Sequence, residues 1–378
     1  MANYILFGGT FDPIHNGHIR MATYASMKLN ADVVFVPARS PRWKNPTSSS
    51  NERLKMLKAA LKYCPSGSSI LDYELKSKDD INYSIDTVRY FKNMHPNDKI
   101  YFLIGADQVN RFAEWKNAEE LSKLATIIFS SRPNIDLDQD IINLYNMVDI
   151  KFYESGEVSS TKVRQLKSLD IPHEVCEIIE NDRLYYINKL SKYITNERLE
   201  HSIQVAHLAY AIAVKNKLDN PYKYYIAGLL HDAGKTMQID QVKFMEDNFP
   251  IYIDLPKFSY HQFLGAYLAE HEFGIEDEEI LTAIRNHCTG NKNMSPISMV
   301  VYASDKIEPT RGFDSRFLID SCMKDYKQGF IDTLIDNKKY LLAHNKDITN
   351  ELTDACFEMY INKYGVYKNE KRQIGKNY

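Results

Sequence analysis

Two groups of residues in this 378-residue chain have types and spacings suited to phosphate chemistry. The first is Gly8-Gly9-Thr10-Phe11-Asp12-Pro13-Ile14-His15-Asn16-Gly17-His18, set between the apolar run Tyr4 to Phe7 and a helical pattern from Asn16 to Leu29. A strand that turns into a helix presents free backbone N–H groups and the positive end of the helix dipole, which suits an anion. Gly8 and Gly9 let the backbone approach a nucleotide closely. His15 and His18 are three apart, so at a helix start they face one side and can both donate to phosphate oxygens. A Gly-rich turn followed by two ordinary capped histidines would explain the parts separately; the strand–turn–helix context favours a nucleotide site.

The second group is His201, His231, Asp232, His261, His287 and Asp305. His201 heads the apolar series Val205, Leu208, Ile212, and His231-Asp232 ends the run Ala227 to Leu230. His261 shares a face with Leu264 and Leu268, His287 with Ile280 and Ile284, and Asp305 with Ile297 and Val301. His207 falls on the opposite side of its helix and reads as an ordinary histidine. Burying aspartates among histidines carries a large free-energy cost unless the charges are compensated. A shared metal centre compensates all six at once, whereas separately hydrogen-bonded core histidines and aspartates would need six independent solutions. Six N/O ligands without a thiolate suit two divalent ions, iron being the expected metal and manganese also matching the ligand types. Such a pair activates water and polarises a phosphoryl oxygen.

The elements that must position these groups differ along the chain. Tyr4 to Phe7, Val33 to Val36, Ile70 to Leu75, Ile100 to Ile104, Thr126 to Phe129 and Ile150 to Tyr153 carry strand signals. Helical patterns lie between them, including Asn16 to Leu29, Glu52 to Leu61 and Ser84 to Met94, with Ser84 as an N-cap. Such alternation predicts an α/β doubly wound parallel sheet, with ligands beyond the carboxyl ends of the strands. From Pro172 on, amphipathic helices dominate, so an all-α domain follows. The expected division is 1–188, 189–364 and a Lys-, Asn- and Gly-rich tail, 365–378, which is expected to fray.

Composition excludes several classes. The chain is 44% hydrophobic and 26% charged, which excludes global disorder and leaves ample material for cores. A net charge of −3, from 50 acidic and 47 basic residues, gives no global footprint for nucleic acid or an anionic membrane, so phosphate binding must be local. Five scattered cysteines without a C-x-x-C pair disfavour a disulfide framework and fit a cytoplasmic protein. The sequence carries no secretory leader pattern and no run of 18 apolar residues, so neither export nor membrane insertion is expected. A homo-oligomer is compatible with all of this.

The segment G-G-T-F-D-P-I-H-N-G-H-I-R resembles the signature of the nucleotidyltransferase superfamily, and specifically that of bacterial nicotinate-nucleotide adenylyltransferases. Val158 to Arg164 resembles their second phosphate segment, and Gly105-Ala106-Asp107-Gln108 through Phe112, Trp115 and Lys116 another of their blocks. Ser84 to Thr87 and Ser131 to Pro133 fall in the matching order. The resemblance implies transfer of AMP from ATP to nicotinate mononucleotide, giving nicotinate adenine dinucleotide and pyrophosphate, with Mg²⁺. It implies that His15, His18 and Arg164 are catalytic, and that Gly8, Gly9, Thr10, Phe11, Ser159, Ser160, Thr161, Gly105 and Asp107 bind ATP or its phosphates. It also implies that Thr87 and Trp115 meet the nicotinate mononucleotide, although a helical Trp is equally explained by core packing. Lys44, in Pro41-Arg42-Trp43-Lys44, stands where the family has a loop lysine, with Arg42 and Trp43 replacing the usual Pro-His, so the resemblance implies a catalytic lysine in contact with phosphate; a solvated basic loop accounts for it as well. Pantetheine-phosphate adenylyltransferase, the alternative within the superfamily, usually has Thr at the position of His15 and lacks the Trp115 block.

Residues from about 190 to 360 resemble HD-domain phosphohydrolases of the symmetrical bis(5′-nucleosyl)-tetraphosphatase type. The resemblance rests on Arg198-x-x-His201-Ser202, Gly228 to Lys235, His261 with Gly265-Ala266, Ile284 to Gly290, and Ala303 to Pro309. It implies hydrolysis of diadenosine tetraphosphate to two ADP, with Asp232 catalytic as well as metal-binding. Lys235, Arg285 and Arg311 are candidates for holding the polyphosphate, and Glu308 for orienting a neighbour. The alternatives are a regulatory or oligomerising nucleotide-binding module, or hydrolysis of another nucleotide.

Overall fold

The computed structural model describes residues 1–39, 46–77, 82–131, 135–152, 158–344 and 350–363. The chain divides into two compact units, Met1–Tyr185 and Tyr186–Tyr378.

The first unit is a six-stranded parallel sheet. Its strands are β1 (Asn3–Gly9), β2 (Asp32–Pro37), β3 (Ser69–Ile70), β4 (Lys99–Ile104), β5 (Thr126–Phe129) and β6 (Val148–Asp149), in the order β3-β2-β1-β4-β5-β6. Val33–Val36, Ile100–Ile104 and Ile127–Phe129 are nearly solvent-free because helices cover both faces, which is why these strands read as continuous apolar runs. Helices α1 (Asn16–Leu29), α2 (Ser50–Ala60) and α3 (Ser84–Met94) connect early strands, and the short α4 (Ser160–Arg164) comes late. The order reverses between β1 and β4, so their carboxyl ends, Gly9 and Ile104, open onto the topological switch point where such sheets bind ligands.

Three expected boundaries differ. The strand expected to run to Leu75 stops at Ile70, and a helical turn, Tyr73–Lys76, follows and buries Glu74. The last strand is Val148–Asp149 rather than a segment beginning at Ile150. Ser84 is the first residue of α3, preceded by Tyr83 as N-cap, so its hydroxyl is not the cap.

The second unit is helical, and among the described residues no strand follows Asp149. Its functional helices are α5 (Asn196–Lys215), α6 (Pro221–Leu230), α7 (Tyr260–His271), α8 (Glu278–Asn286) and α9 (Pro296–Ile307). Glycines let them approach closely. A Cβ on Gly228 of α6 would lie 2.9 Å from the Ala206 Cα of α5, and one on Gly234 would lie 2.6 Å from the Gly265 backbone nitrogen of α7. The expected tail beyond residue 364 lies outside the described residues.

Candidate phosphate site and candidate metal centre

At the end of β1 the chain passes through Phe11, with φ 49°, to reach His15, the N-cap of α1. His15 is 7% exposed, and its backbone N–H donates to His18 Nδ1 at 3.3 Å. That bond places the His18 proton on Nε2, so the ring presents a donor away from its own backbone. The two imidazoles stack with centroids 3.6 Å apart, and the Phe11 ring packs edge-on to His18 at 5.1 Å. A Cβ on Gly9 would lie 2.8 Å from the Phe11 ring, whereas Gly8 leaves an ordinary 3.4 Å to Phe102.

The second phosphate segment is fastened to this loop. Ser159 caps α4 by accepting the Lys162 N–H at 3.2 Å, and Ser160 Oγ donates to the Pro13 carbonyl at 2.8 Å. Arg164 donates to the Asp12 carbonyl at 2.6 Å and to Thr161 Oγ1 at 3.1 Å. His15, His18, Ser160, Thr161 and Arg164 thus belong to one bonded arrangement although they lie about 150 residues apart.

Asp12, which the sequence reading did not single out, is the hub. Its carboxylate, 3% exposed, accepts Thr47 N–H at 2.7 Å, Ser48 N–H at 3.2 Å, Ser48 Oγ at 2.5 Å and the Tyr185 hydroxyl at 2.8 Å. Arg53, 1% exposed, donates to the carbonyls of Thr10 at 2.8 Å and Ala38 at 2.6 Å, and burial lowers its pKa. A buried charge held by several backbone partners freezes the loop's path. Only an Asp-Pro turn and one Arg in a charged helix were visible beforehand, and neither pattern signals burial.

The remaining first-unit candidates divide. Gly105 caps the turn after β4, and Asp107 is exposed with its carboxylate bonded to Gln108. Trp115 is half-buried, edge-on to Phe102 at 6.2 Å and tilted against Phe112 at 5.3 Å, so part of the indole is committed to the core. Thr87 requires correction as a direct ligand contact. It is 0% exposed, and its hydroxyl donates to Glu74 Oε1 at 2.7 Å. Lys44 lies outside the described residues.

In the second unit all six candidate ligands converge. His201 Nε2 is 3.1 Å from Asp305 Oδ1; His261 Nε2 is 3.3 Å from Asp232 Oδ1 and 3.1 Å from His287 Nε2; His287 Nε2 is 3.5 Å from Asp232 Oδ1. Three overlapping triads have ligand atoms within 4.8 Å of one another: His201, His231, Asp232; His231, His287, Asp305; and Asp232, His261, His287.

The outer nitrogens explain why the inner ones point inward. His231 Nδ1 donates to the Gly228 carbonyl at 2.7 Å, His261 Nδ1 to Phe258 at 2.7 Å and His287 Nδ1 to Ile284 at 2.8 Å. His201 Nδ1 lies 3.0 Å from Glu308 Oε1, which is 1% exposed. With each Nδ1 proton committed outward, four Nε2 lone pairs face the interior, the tautomer that metal-binding histidines require. His231 Nε2 is buried without a hydrogen bond, 3.5 Å from Asp305 Oδ1. A buried lone pair surrounded by two aspartates and three other imidazoles is satisfied by a cation.

Electrostatics agree. Burial pushes Asp232 and Asp305 upward, but the facing histidines and Lys306 outweigh it and hold both carboxyls well below the usual range. Burial holds His261 and His287 below the usual imidazole value, so both are neutral. His231 is raised instead, because Asp232 and Asp305 outweigh burial there. The residues present therefore fit divalent metal ions.

The ligands floor a cavity of about 230 Å³ whose walls include Arg198, Lys235, Lys306 and Arg311. Lys235 Nζ is 3.1 Å from His261 Nε2, and Arg311 donates to Asp305 at 2.5 Å. Arg198 and Lys306, not singled out as phosphate ligands from the sequence, donate to Asp232 at 2.7 Å and Asp305 at 2.5 Å. Arg285 requires correction: it pairs with Glu278 and Thr282 and lines a different cavity, with Tyr252, Phe263 and Asn291. His287, two residues on, turns inward, and two residues along a helix change the direction by about 200°.

Residues 6–166 match the family described as cytidylyltransferase-like, and residues 198–310 match the HD domain. A probable nicotinate-nucleotide adenylyltransferase/Ap4A hydrolase of Mycoplasma genitalium is 32% identical over 345 residues, covering 87% of this chain and 96% of its own length. Its Mycoplasma pneumoniae counterpart is 32% identical over 353 residues, covering 91% and 100%. A probable nicotinate-nucleotide adenylyltransferase of Clostridium tetani is 34% identical over 203 residues, covering 49% of this chain and 100% of its own.

Proposed function

The chain belongs to the nicotinate-nucleotide adenylyltransferase/Ap4A hydrolase family, and from this premise we propose that its two units carry one reaction each. The first transfers AMP from ATP to nicotinate mononucleotide. The second hydrolyses diadenosine tetraphosphate to two ADP at a pair of divalent ions, preferentially iron.

In the first reaction a phosphate oxygen of nicotinate mononucleotide attacks the α-phosphorus of ATP. The new O–P bond forms as the bond to the β-phosphate oxygen breaks, and pyrophosphate leaves with that electron pair. The attacking group is already an anion, so no general base is required; the work is alignment and charge neutralisation. His18 Nε2–H, His15 and Arg164 supply donors for the phosphates, with Mg²⁺ carried by the triphosphate. Asp12 fixes the loop and thereby Arg164, and the exposed part of Trp115 is the candidate surface for the pyridine ring.

In the second, His201, His231, Asp232, His261, His287 and Asp305 would hold the ions, with His231, Asp232 and His287 each common to two triads. Bound divalent ions supply Lewis-acid activation of water and of a phosphoryl oxygen. Glu308 and the three backbone carbonyls hold the imidazoles in register. Arg198, Lys235, Lys306 and Arg311 offer four cations to a polyphosphate, more than a lone phosphate monoester needs.

The observation that carries the hydrolase reading is the commitment of all four histidine Nδ1 atoms outward around two buried aspartates. The test is product analysis. ATP is supplied with nicotinate mononucleotide, nicotinamide mononucleotide or phosphopantetheine, and diadenosine tetraphosphate is supplied after anaerobic loading with iron or manganese. Nicotinate adenine dinucleotide and ADP are the expected products. Dephospho-coenzyme A in the first arm, or neither bound metal nor ADP in the second, would overturn the corresponding half.

A further inference from the structure

Behind the metal centre the helical unit holds a second cavity, of about 290 Å³. The same two segments wall both: His261 and His287 line the metal side, and Phe263 and Asn286 line the other. Gln262, 0% exposed, ties these segments together by accepting the Cys288 and Thr289 N–H groups at 3.3 Å each. The two linings differ in chemistry. The metal cavity is walled by Arg198, Lys235, Lys306 and Arg311, whereas among the described residues the second is lined by one such cation, Arg285, and by no carboxylate. Asn286, Asn291 and Asn293 add carboxamides, and Tyr252 and Phe263, stacked with centroids 4.7 Å apart, add an aromatic wall. Asn286 is the residue that points to a ligand. It is 5% exposed; its Nδ2 donates to Ser298 Oγ at 3.5 Å, and among the described residues nothing donates to its Oδ1. A carboxamide oxygen buried that deeply is costly unless a donor reaches it. Arg285 is available as well. The side chain of its partner Glu278 is 71% exposed, and a pair with so exposed a member holds weakly against a competing anion.

We propose that this second cavity binds an adenine nucleoside monophosphate, apart from both reaction sites. The base lies along the wall that Tyr252 and Phe263 form, and its exocyclic amine donates to Asn286 Oδ1. The Asn291 carboxamide lines the same cavity and serves a ring nitrogen, because a carboxamide and the edge of adenine have matching donor–acceptor patterns. Hypoxanthine puts a carbonyl oxygen where that amine stands, so two acceptors would face each other at Asn286. One guanidinium matches one phosphate, while the cationic metal cavity suits a polyphosphate. The volume lies near the lower limit of about 300 Å³ for small-molecule pockets, which suits a mononucleotide rather than a dinucleotide.

The experiment uses the full chain, metal-loaded, photolabelled with 8-azidoadenosine 5′-monophosphate and mapped by peptide. Label is expected in the peptides that carry Tyr252 or Asn286–Asn293, removed by excess AMP and unaffected by excess inorganic tetraphosphate, which carries no base and competes only for the cationic cavity. The concentration of AMP, adenosine or IMP that halves this labelling gives an affinity for this site alone. IMP is expected to need roughly tenfold more than AMP, for its mismatched acceptor. Arg285→Gln is expected to weaken AMP by roughly 10- to 100-fold, the range of a hydrogen bond to a charged group, and to leave adenosine, which has no phosphate, at its wild-type value. Asn291→Leu should weaken AMP and adenosine alike. Bound metal and nicotinate adenine dinucleotide synthesis, measured on the same preparations, report that the variants are folded. Label confined to peptides from residues 1–185, or label at Tyr252 and Asn286 that inorganic tetraphosphate removes, would overturn the site. A folded Arg285→Gln protein that keeps wild-type affinity for AMP, or loses adenosine equally, would refute the phosphate contact, and IMP competing as well as AMP would refute the reading of the base. None of these readouts depends on cleavage of a dinucleotide, so this site stands or falls apart from the hydrolase reading.

Discussion

His15 and His18 look equivalent in the sequence but do different jobs. His15 is nearly enclosed at the helix N-cap, while His18 receives the His15 N–H on Nδ1 and keeps its proton on Nε2. His18→Ala is therefore expected to lower adenylyl transfer by about 10²–10³-fold, the usual loss for one preorganised donor, and to leave hydrolysis unchanged. Assaying both products on one preparation checks this; a parallel fall in both activities without unfolding would refute the assignment. The Thr87–Glu74 pair supports a second expectation. Burial raises the Glu74 carboxyl above its ordinary 4.5, outweighing the Thr87 bond that lowers it. A carboxyl raised on folding favours the folded state most when protonated, and that advantage is lost as pH climbs through and beyond 4.5. Glu74→Gln keeps the acceptor for Thr87 and removes the charge. It should melt like wild type near pH 4 and higher than wild type at pH 7, and a lower melting temperature at pH 7 would contradict this reading. The histidines and aspartates were legible because ligand types recur at helical spacing. Thr87 and Arg285 were not, because a motif position does not tell which way a side chain faces, and Asp12 was missed because its partners lie in three distant segments.

At the scale of elements, close helix approach sets the candidate metal ligands. The Gly228 carbonyl receives His231 Nδ1–H, and its missing Cβ lets α6 rest on α5 at Ala206. Two effects compete in Gly228→Ala. Helix propensity favours alanine by about 1 kcal/mol, but the new methyl would meet backbone atoms of Ala206 at 2.9 and 3.1 Å, which cannot rotate away. The clash should win, destabilising the helical unit by about 1–3 kcal/mol and lowering bound metal. Gly8→Ala, whose Cβ meets only a phenyl edge at 3.4 Å, is the tolerated comparison. Thermal melts and metal analysis of both variants decide it, and a Gly228→Ala protein as stable and metal-rich as wild type would contradict the packing argument. The elements themselves were largely legible: α1 was expected and found over Asn16–Leu29, and β5 over Thr126–Phe129. Ile70 to Leu75 misled because its alternation suits a strand, whereas the Glu74–Thr87 contact, invisible locally, draws the chain into a helical turn.

For the whole molecule, a net charge of −3 conceals two local concentrations of cationic and hydrogen-bond-donating groups, one at a sheet's switch point and one inside a helical unit. The six metal candidates all belong to Tyr186–Tyr378, and the His15, His18 and Arg164 arrangement belongs to Met1–Tyr185. A ligand that binds only a folded unit stabilises that unit by RT ln(1 + [L]/Kd), about 2.7 kcal/mol at a hundredfold excess over Kd. Calorimetry with increasing divalent metal should therefore raise the unfolding of the helical unit and leave that of the sheet unit in place. Nicotinate mononucleotide should do the reverse. Asp232→Ala removes a ligand common to two of the triads and should abolish both the metal-induced shift and hydrolysis while sparing adenylyl transfer. The variant also separates chemistry from packing, because a folded protein that still bound metal normally but had lost hydrolysis would make Asp232 a reacting group rather than a ligand. Metal that stabilised both units equally in wild type, or an Asp232→Ala protein that lost both activities while still folded, would mean that the chain works as one site rather than two.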